Sequence, residues 1–147
     1  MRLTARVDYA LRALCALAAA APHTVTTDRV AEGEGVPAHF LGSILRDLRR
    51  AGLANSVRGA GGGHELGREA RTITVADVIR AVDGPLALVR NLRPEQLEYS
   101  GSSRHLQEVW VALRAAERQI LEGTTIHDIV SGELPSVITL RQEDHTT

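Results

Sequence analysis

The chain contains no lysine: all seventeen of its cations are arginine. That absence removes a phosphate-loop lysine, a Schiff-base lysine and a lysine general base at once. Cysteine is nearly absent too. Cys15 stands alone, so no intrachain disulfide can form, no zinc site built on several thiolates is available, and a reducing, cytoplasmic setting is expected. Only four residues are aromatic, one Phe, two Tyr and one Trp. Ala, Leu, Val and Ile must therefore fill the interior, which suits close-packed helices and argues against an all-β barrel or sandwich. Long apolar runs are missing as well. The stretch 10–21 is interrupted by Arg12 and is too short to cross a bilayer, and no secretory leader is expected, so no membrane partner is expected either.

What is present is enough for one domain, or a compact head with a helical arm: 147 residues, 44% of them apolar. The net charge of −1 decides nothing about nucleic acid, but its distribution is informative. Residues 1–68 hold nine Arg against six acids, and residues 69–147 hold eight Arg against twelve acids. The basic half is the N-terminal one.

Apolar residues at helical spacing from Val7 to Ala18 predict a first helix over 3–21, closed by Pro22. Thr26 or Thr27 can cap a short second helix that stops at Gly33-Glu34-Gly35. Pro37 then opens a third helix whose Leu41, Ile44, Leu45 and Leu48 share one face until Gly52 ends it. Opposite that stripe lie His39, Ser43, Arg46 and Arg50, with Arg49 on the flank. Two short strands follow, 53–58 and 64–66, joined by Gly59-Ala60-Gly61-Gly62-Gly63 as a hairpin. Thr74 and Asp77 form a capping box that launches a fourth helix ending at Gly84-Pro85. Residues 90–103 are polar and irregular. A long helix is predicted over 103–122, then a second capping box at Thr125 and Asp128, a short piece ending near Gly132, and a flexible tail over 133–147.

The order helix, short helix, turn, amphipathic helix and glycine-tipped hairpin is that of a winged helix-turn-helix. The fold class expected is therefore mainly α with a small β-hairpin, a winged helix-turn-helix plus a long dimerisation helix. Residues 1–84 would form the DNA-binding domain and 85–132 a loop and dimerisation helix. In such a domain the third helix enters the major groove, so His39 and Ser43 should approach base edges while Arg46, Arg49 and Arg50 meet phosphates. Arg58 is placed like a wing residue reaching into the minor groove. Charge alone would equally describe a solvated helix face. The glycines shift the balance, because Gly59, Gly61, Gly62 and Gly63 strip side chains from a whole protrusion, as close approach to another surface requires.

Other chemistries find little support. Gly59-Ala60-Gly61 begins a nucleotide-binding pattern, but His64 holds the third glycine position and neither a lysine nor a helix follows. The six histidines, at 23, 39, 64, 105, 127 and 145, lack H-x-x-x-H or H-E-x-x-H spacing, so no metal site is expected. No G-x-S-x-G elbow occurs and nothing pairs with Cys15, so a small hydrolase has no constellation and no enzyme is expected. Two readings stand for Cys15: a small buried hydrophobe, or a thiol sensor. In the long helix, Leu106, Val109, Trp110, Leu113 and Ile120 give more apolar stripe than a peripheral arm needs. That points to packing against a second copy of the chain, and paired recognition helices would read a palindromic operator in double-stranded DNA.

Met1-Arg2-Leu3-Thr4 with Tyr9-Ala10, Leu48 to Leu53, Ser56 to Gly63 and Ala81-Val82-Asp83-Gly84 together resemble the Rrf-type family of bacterial transcription regulators, over about residues 1–132. The glycine-rich wing is the most specific of these blocks. The resemblance implies a homodimeric winged-helix repressor or activator, with recognition at the start of the third helix, including His39 and Ser43, and in the wing at Arg58, Gly59, Ala60 and Gly61. Many members carry proline where this chain has Ala60. Cluster-bearing members place three cysteines before the long helix, which by resemblance makes the loop in 85–132 the sensor loop, and residues 84–106 contain no cysteine. No iron-sulfur cofactor of the usual kind is therefore expected, and the signal is left to a small molecule near the 90–103 loop, a protein effector, or Cys15 oxidation. The rival reading, from a different class, is a winged-helix interaction module that acts through a partner enzyme or polymerase.

Overall fold

The computed structural model describes residues 2–143. Met1 and residues 144–147, with His145 and the end of the expected tail, lie outside the described residues.

Helix α1 spans Ala5–Ala20, capped by the Thr4 hydroxyl, which accepts from the Val7 amide. It is the hub of the fold, packing against four helices and the hairpin. Ala10, Ala13, Leu14 and Leu17 are buried along it. Small alanines on this face let neighbouring helices approach closely, which is how a chain with so few aromatics reaches interior packing density. Thr26 caps α2 (Thr27–Glu34), and Gly35 stops it in a left-handed conformation at φ 65°. Helix α3 runs Ala38–Arg50 from Pro37 at its N-cap. Its expected stripe of Leu41, Ile44, Leu45 and Leu48 is fully buried against α1, α2 and α4. Burial of each such side chain is worth about 1.5–3 kcal/mol, which fixes the opposite face outward.

Strands β1 (Ala54–Val57) and β2 (Gly63–Leu66) pair antiparallel, with Ala54 opposite Leu66 and Val57 opposite Gly63. The hairpin does not stand alone. Val25, between α1 and α2, bridges to His64 through two backbone hydrogen bonds of 2.8 and 2.7 Å, adding a third antiparallel partner to the wing. Glycines permit two close backbone approaches here, Gly63 to Val25 and Gly67 to Gly52 at the base of the hairpin. A Cβ on Gly63, at φ 151°, would fall 2.7 Å from the Val25 carbonyl oxygen. One on Gly67 would fall 2.2 Å from the Gly52 carbonyl oxygen.

Both capping boxes form as expected, opening α4 (Val75–Asp83) and α6 (Ile126–Ser131). They lie side by side: Thr74 bridges Thr125, and Ile126 donates to the Ile73 carbonyl at 2.9 Å. Ile126 thereby enters the same core as Leu14 and Leu41. The expected boundary at residue 84 leaves α6 with the arm, yet α6 packs on α1. Between them runs α5 (Leu106–Gly123), the longest helix. The tail expected to be flexible from residue 133 instead carries a helix, α7 (Ser136–Glu143), which touches α5. Val137 and Ile138 in it are half-buried, and this short apolar pair is what the polar composition of the tail concealed. No helix among the described residues is long and apolar enough to cross a membrane.

Candidate nucleic-acid interface

Because α3 buries one stripe, its other face must meet solvent, and His39, Ser43, Arg46, Arg49 and Arg50 are all exposed there. His39 sits in the first turn with its ring 4.2 Å from that of Phe40, which in turn lies 5.7 Å from the Tyr9 ring of α1. Phe40, an exposed aromatic at the tip of α3, has no counterpart among the expected site residues. Ser43 is engaged by its own fold: its hydroxyl accepts from Arg6 of α1 at 2.8 Å, and the same guanidinium pairs with Asp47. Arg6 thus neutralises the single acid of α3 and clamps the helix to α1. Without that pairing Asp47 would oppose any polyanion lying on this face.

Among the described residues, Arg46, Arg49, Arg50 and Arg58 take part in no ion pair. Arg49 and Arg58 line one open groove between the end of α3 and the hairpin, together with Asn55, Ser56 and Glu65. The two guanidinium groups come from elements that the sequence separates, and the pairing of β1 with β2 brings them together. Glu65 is the one acid in that groove, so the charge there is net positive but partly offset.

At the wing tip Gly59, Ala60 and Gly61 are exposed. Gly59 (φ 98°) and Gly61 (φ 77°) take conformations that a side chain disfavours, although space around both is open. Gly62 is different, since a Cβ there would fall 2.3 Å from the Val57 carbonyl oxygen. The glycines of the tip therefore follow from the finger's own turn and from its seat on Val25, without appeal to an outside surface. The seat is reinforced by Thr24, whose hydroxyl donates to the Gly61 carbonyl at 2.8 Å, and by a 3.1 Å hydrogen bond between the Thr27 hydroxyl and His64 Nε2. Burial, with Arg49 nearby, holds the His64 pKa below its ordinary value, so the wing's anchor stays neutral.

The remaining expected residues lie elsewhere. On α5, Val109 and Leu113 are exposed at 55% and 47%. Leu106, Trp110 and Ile120 are half-buried, and Trp110 donates to the Tyr99 hydroxyl at 3.2 Å. The only buried side chain in this helix is Glu117, whose Oε2 has no hydrogen-bond partner and whose pKa burial raises. Cys15 packs against the main core, and burial, with Glu34 adding its charge, pushes its pKa up to about 11. A thiol so placed is almost wholly protonated at neutral pH. Native protein should therefore react with iodoacetamide about 100-fold more slowly than a thiol of ordinary pKa. Mass spectrometry of the alkylation time course checks this, and labelling at the rate of free cysteine would restore Cys15 as a sensor.

The arrangement of α1 to α4 with its finger can be set beside known proteins. A sequence profile described as Rrf2, "Iron-dependent Transcriptional regulator", matches residues 3–132. The chain belongs to the Rrf2 family. Similar proteins include a protein of Mycobacterium tuberculosis named as an HTH-type transcriptional regulator, 45% identical over 146 residues covering 99% of this chain and 91% of that protein. The HTH-type transcriptional regulator CymR of Bacillus subtilis is 35% identical over 102 residues, 69% of each chain. The structure of B. subtilis CymR, the global cysteine regulator, superposes with a TM-score of 0.76 at 31% identity, covering 89% of this chain and 97% of that one. The structure of IscR from T. potens gives 0.73 at 28% identity, covering 90% and 88%. The Rrf2 fold and these relatives are those of DNA-binding winged-helix transcriptional regulators, not of enzymes.

The iron dependence in the family description meets a donor set that does not fit a thiolate-bound cluster. Residues 84–106 contain no cysteine, and Cys15 lies in α1 against the core. Among the described residues, no group of three His, Cys, Asp or Glu side chains is gathered that could hold a metal ion.

Proposed function

We propose that this Rrf2 regulator is a cytoplasmic, homodimeric repressor without an iron-sulfur cluster, which grips a palindromic operator through α3 and the wing. The observation that carries the reading is the shared groove of Arg49 and Arg58. Two guanidinium groups on adjacent elements can neutralise phosphates on either side of a groove edge, which anchors the register of α3 on the duplex. His39 and Ser43, one turn apart at the start of α3, then meet base edges, with Arg46 and Arg50 on the flanking backbone. Arg58, with Gly59, Ala60 and Gly61, enters the minor groove.

Dimerisation is supported by α5. An 18-residue helix whose apolar side chains are at most half-buried within its own chain, with Val109 and Leu113 exposed, is a poor use of hydrophobic surface unless something else covers it. Leu113 shares a surface depression with Leu88 and Trp110, and a symmetry-related α5 would cover these residues together with exposed Val109. The test is selection of bound duplexes from genomic DNA by the native protein. Enrichment of inverted repeats, with half-site centres about one helical turn or a multiple apart, is expected. Enrichment of single, unpaired sites would overturn the dimeric reading, and no enrichment would overturn the operator reading altogether.

A further inference from the structure

A second concentration of arginine lies away from α3 and the wing. The end of α4, the loop after it and α5 border an open cavity of about 490 Å³, into whose wall come Arg80, Arg93, Arg114 and Arg118, with Pro85 and Leu88 as apolar neighbours. A volume of this size suits a small molecule. Three of the four cations are already tethered: Glu122 pairs with Arg80 and Arg118, and Glu95 pairs with Arg114 at 2.9 Å. Two carboxylates against four guanidinium groups leave two positive charges uncompensated.

The position of Arg114 sharpens this. Its side chain is only 18% exposed, and its buried Nε has no hydrogen-bond partner. Held to Glu95 in this way, Arg114 is a fixed charge in the cavity wall and not a mobile surface cation. Beside it the loop is strained: Ala87, Arg90 and Asn91 all take positive φ, at 43°, 50° and 63°, a conformation that non-glycine residues seldom hold without compensation.

We propose that this cavity binds a small organic dianion, a dicarboxylate or a phosphate monoester, with Arg93 and Arg114 on its oxyanions and its carbon skeleton against Pro85 and Leu88. Guanidinium forks match both oxyanion types, and the net charge of the site matches two negative charges. Arg80 belongs to α4, which packs directly on α1 and α3. The occupant is thus one element removed from the recognition helix and acts as the regulator's effector; this second half rests on the reading of the protein as an operator-binding regulator.

Calorimetry on the full chain without DNA, at fixed ionic strength, tests the site with succinate, glycerol 3-phosphate and neutral glycerol as probes. Saturable binding of one or both anions is expected, one per chain, with affinity at least 10-fold weaker in Arg114→Gln and in Arg93→Ala and unchanged in Arg58→Ala. Arg93 is exposed, so its variant serves if Arg114→Gln does not fold. Which probe binds separates the carboxylate from the phosphate source. No saturable binding, or equal binding by both cavity variants, overturns the site. Operator affinity measured with and without the bound anion should then differ at least threefold. An unchanged affinity overturns the effector role, whereas absence of any DNA binding would overturn the regulator reading and leave the calorimetric result standing.

Discussion

Replacing Arg46 and Arg58 together by Glu lowers operator affinity by roughly 100-fold or more at physiological salt, with the fold intact. Each substitution removes one cation from the DNA-facing surface and puts an anion where a phosphate would lie, so the loss is electrostatic and grows as salt is lowered. Neither side chain is buried or takes part in an ion pair among the described residues, so the variants should melt within a few degrees of the parent. Fluorescence anisotropy on a selected operator reads the affinity, and circular dichroism reads the fold. If DNA affinity survived the double reversal, the basic face of α3 would be a solvated surface. The operator reading would then fall and the interaction-module reading would gain.

Placing Glu at both Val109 and Leu113 gives the second large effect. In a dimer built on α5 these carboxylates would face their own symmetry mates in an apolar contact, where neither water nor a partner cation stabilises them. Light scattering should report 15.8 kDa for the variant and twice that for the parent at micromolar concentration. Affinity for the palindrome should fall on the order of 100-fold or more, because two half-sites would no longer be engaged by one linked particle. Parent protein that already runs at the monomer mass would remove the dimer. A parent dimer unaffected by both carboxylates would place its interface away from α5.

The elements that sequence reasoning recovered are those whose signals are local. The stripe Leu41, Ile44, Leu45 and Leu48 repeats at helical spacing, and burial of that stripe turned the arginines outward as expected. Thr74 with Asp77 and Thr125 with Asp128 satisfy helix-start amides within four residues, so their capping boxes were legible too. What escaped depends on pairs distant in the chain. Nothing near Val25 announces that its backbone bridges to His64, although Gly63 is the residue that admits it. Arg6 reads as a surface charge on α1 until its pairing with Asp47 and Ser43 is seen. Glu117 falls on the side of α5 that packs inward, where helical spacing alone would place something apolar. The arginine cavity draws its members from α4, a loop and α5, and no window of sequence contains them all.

The wing glycines show the limit of composition as a guide to function. Their density suggested an approaching partner surface, yet Gly62 and Gly63 are required by backbone contacts inside the protein, and Gly59 and Gly61 by their positive φ. The reading of α3 and the wing as a DNA interface therefore rests on charge placement, and charge placement has a quantitative signature. The logarithm of the operator association constant should be measured against the logarithm of salt concentration for the parent, Arg49→Ala, Arg58→Ala and the double variant. With both subunits of a dimer contributing, each substitution should flatten the slope by about 2 and the double variant by about 4. Slopes that all coincide, on folded proteins that still bind, would mean that these two guanidinium groups touch no phosphate, contradicting the shared grip on which the account depends.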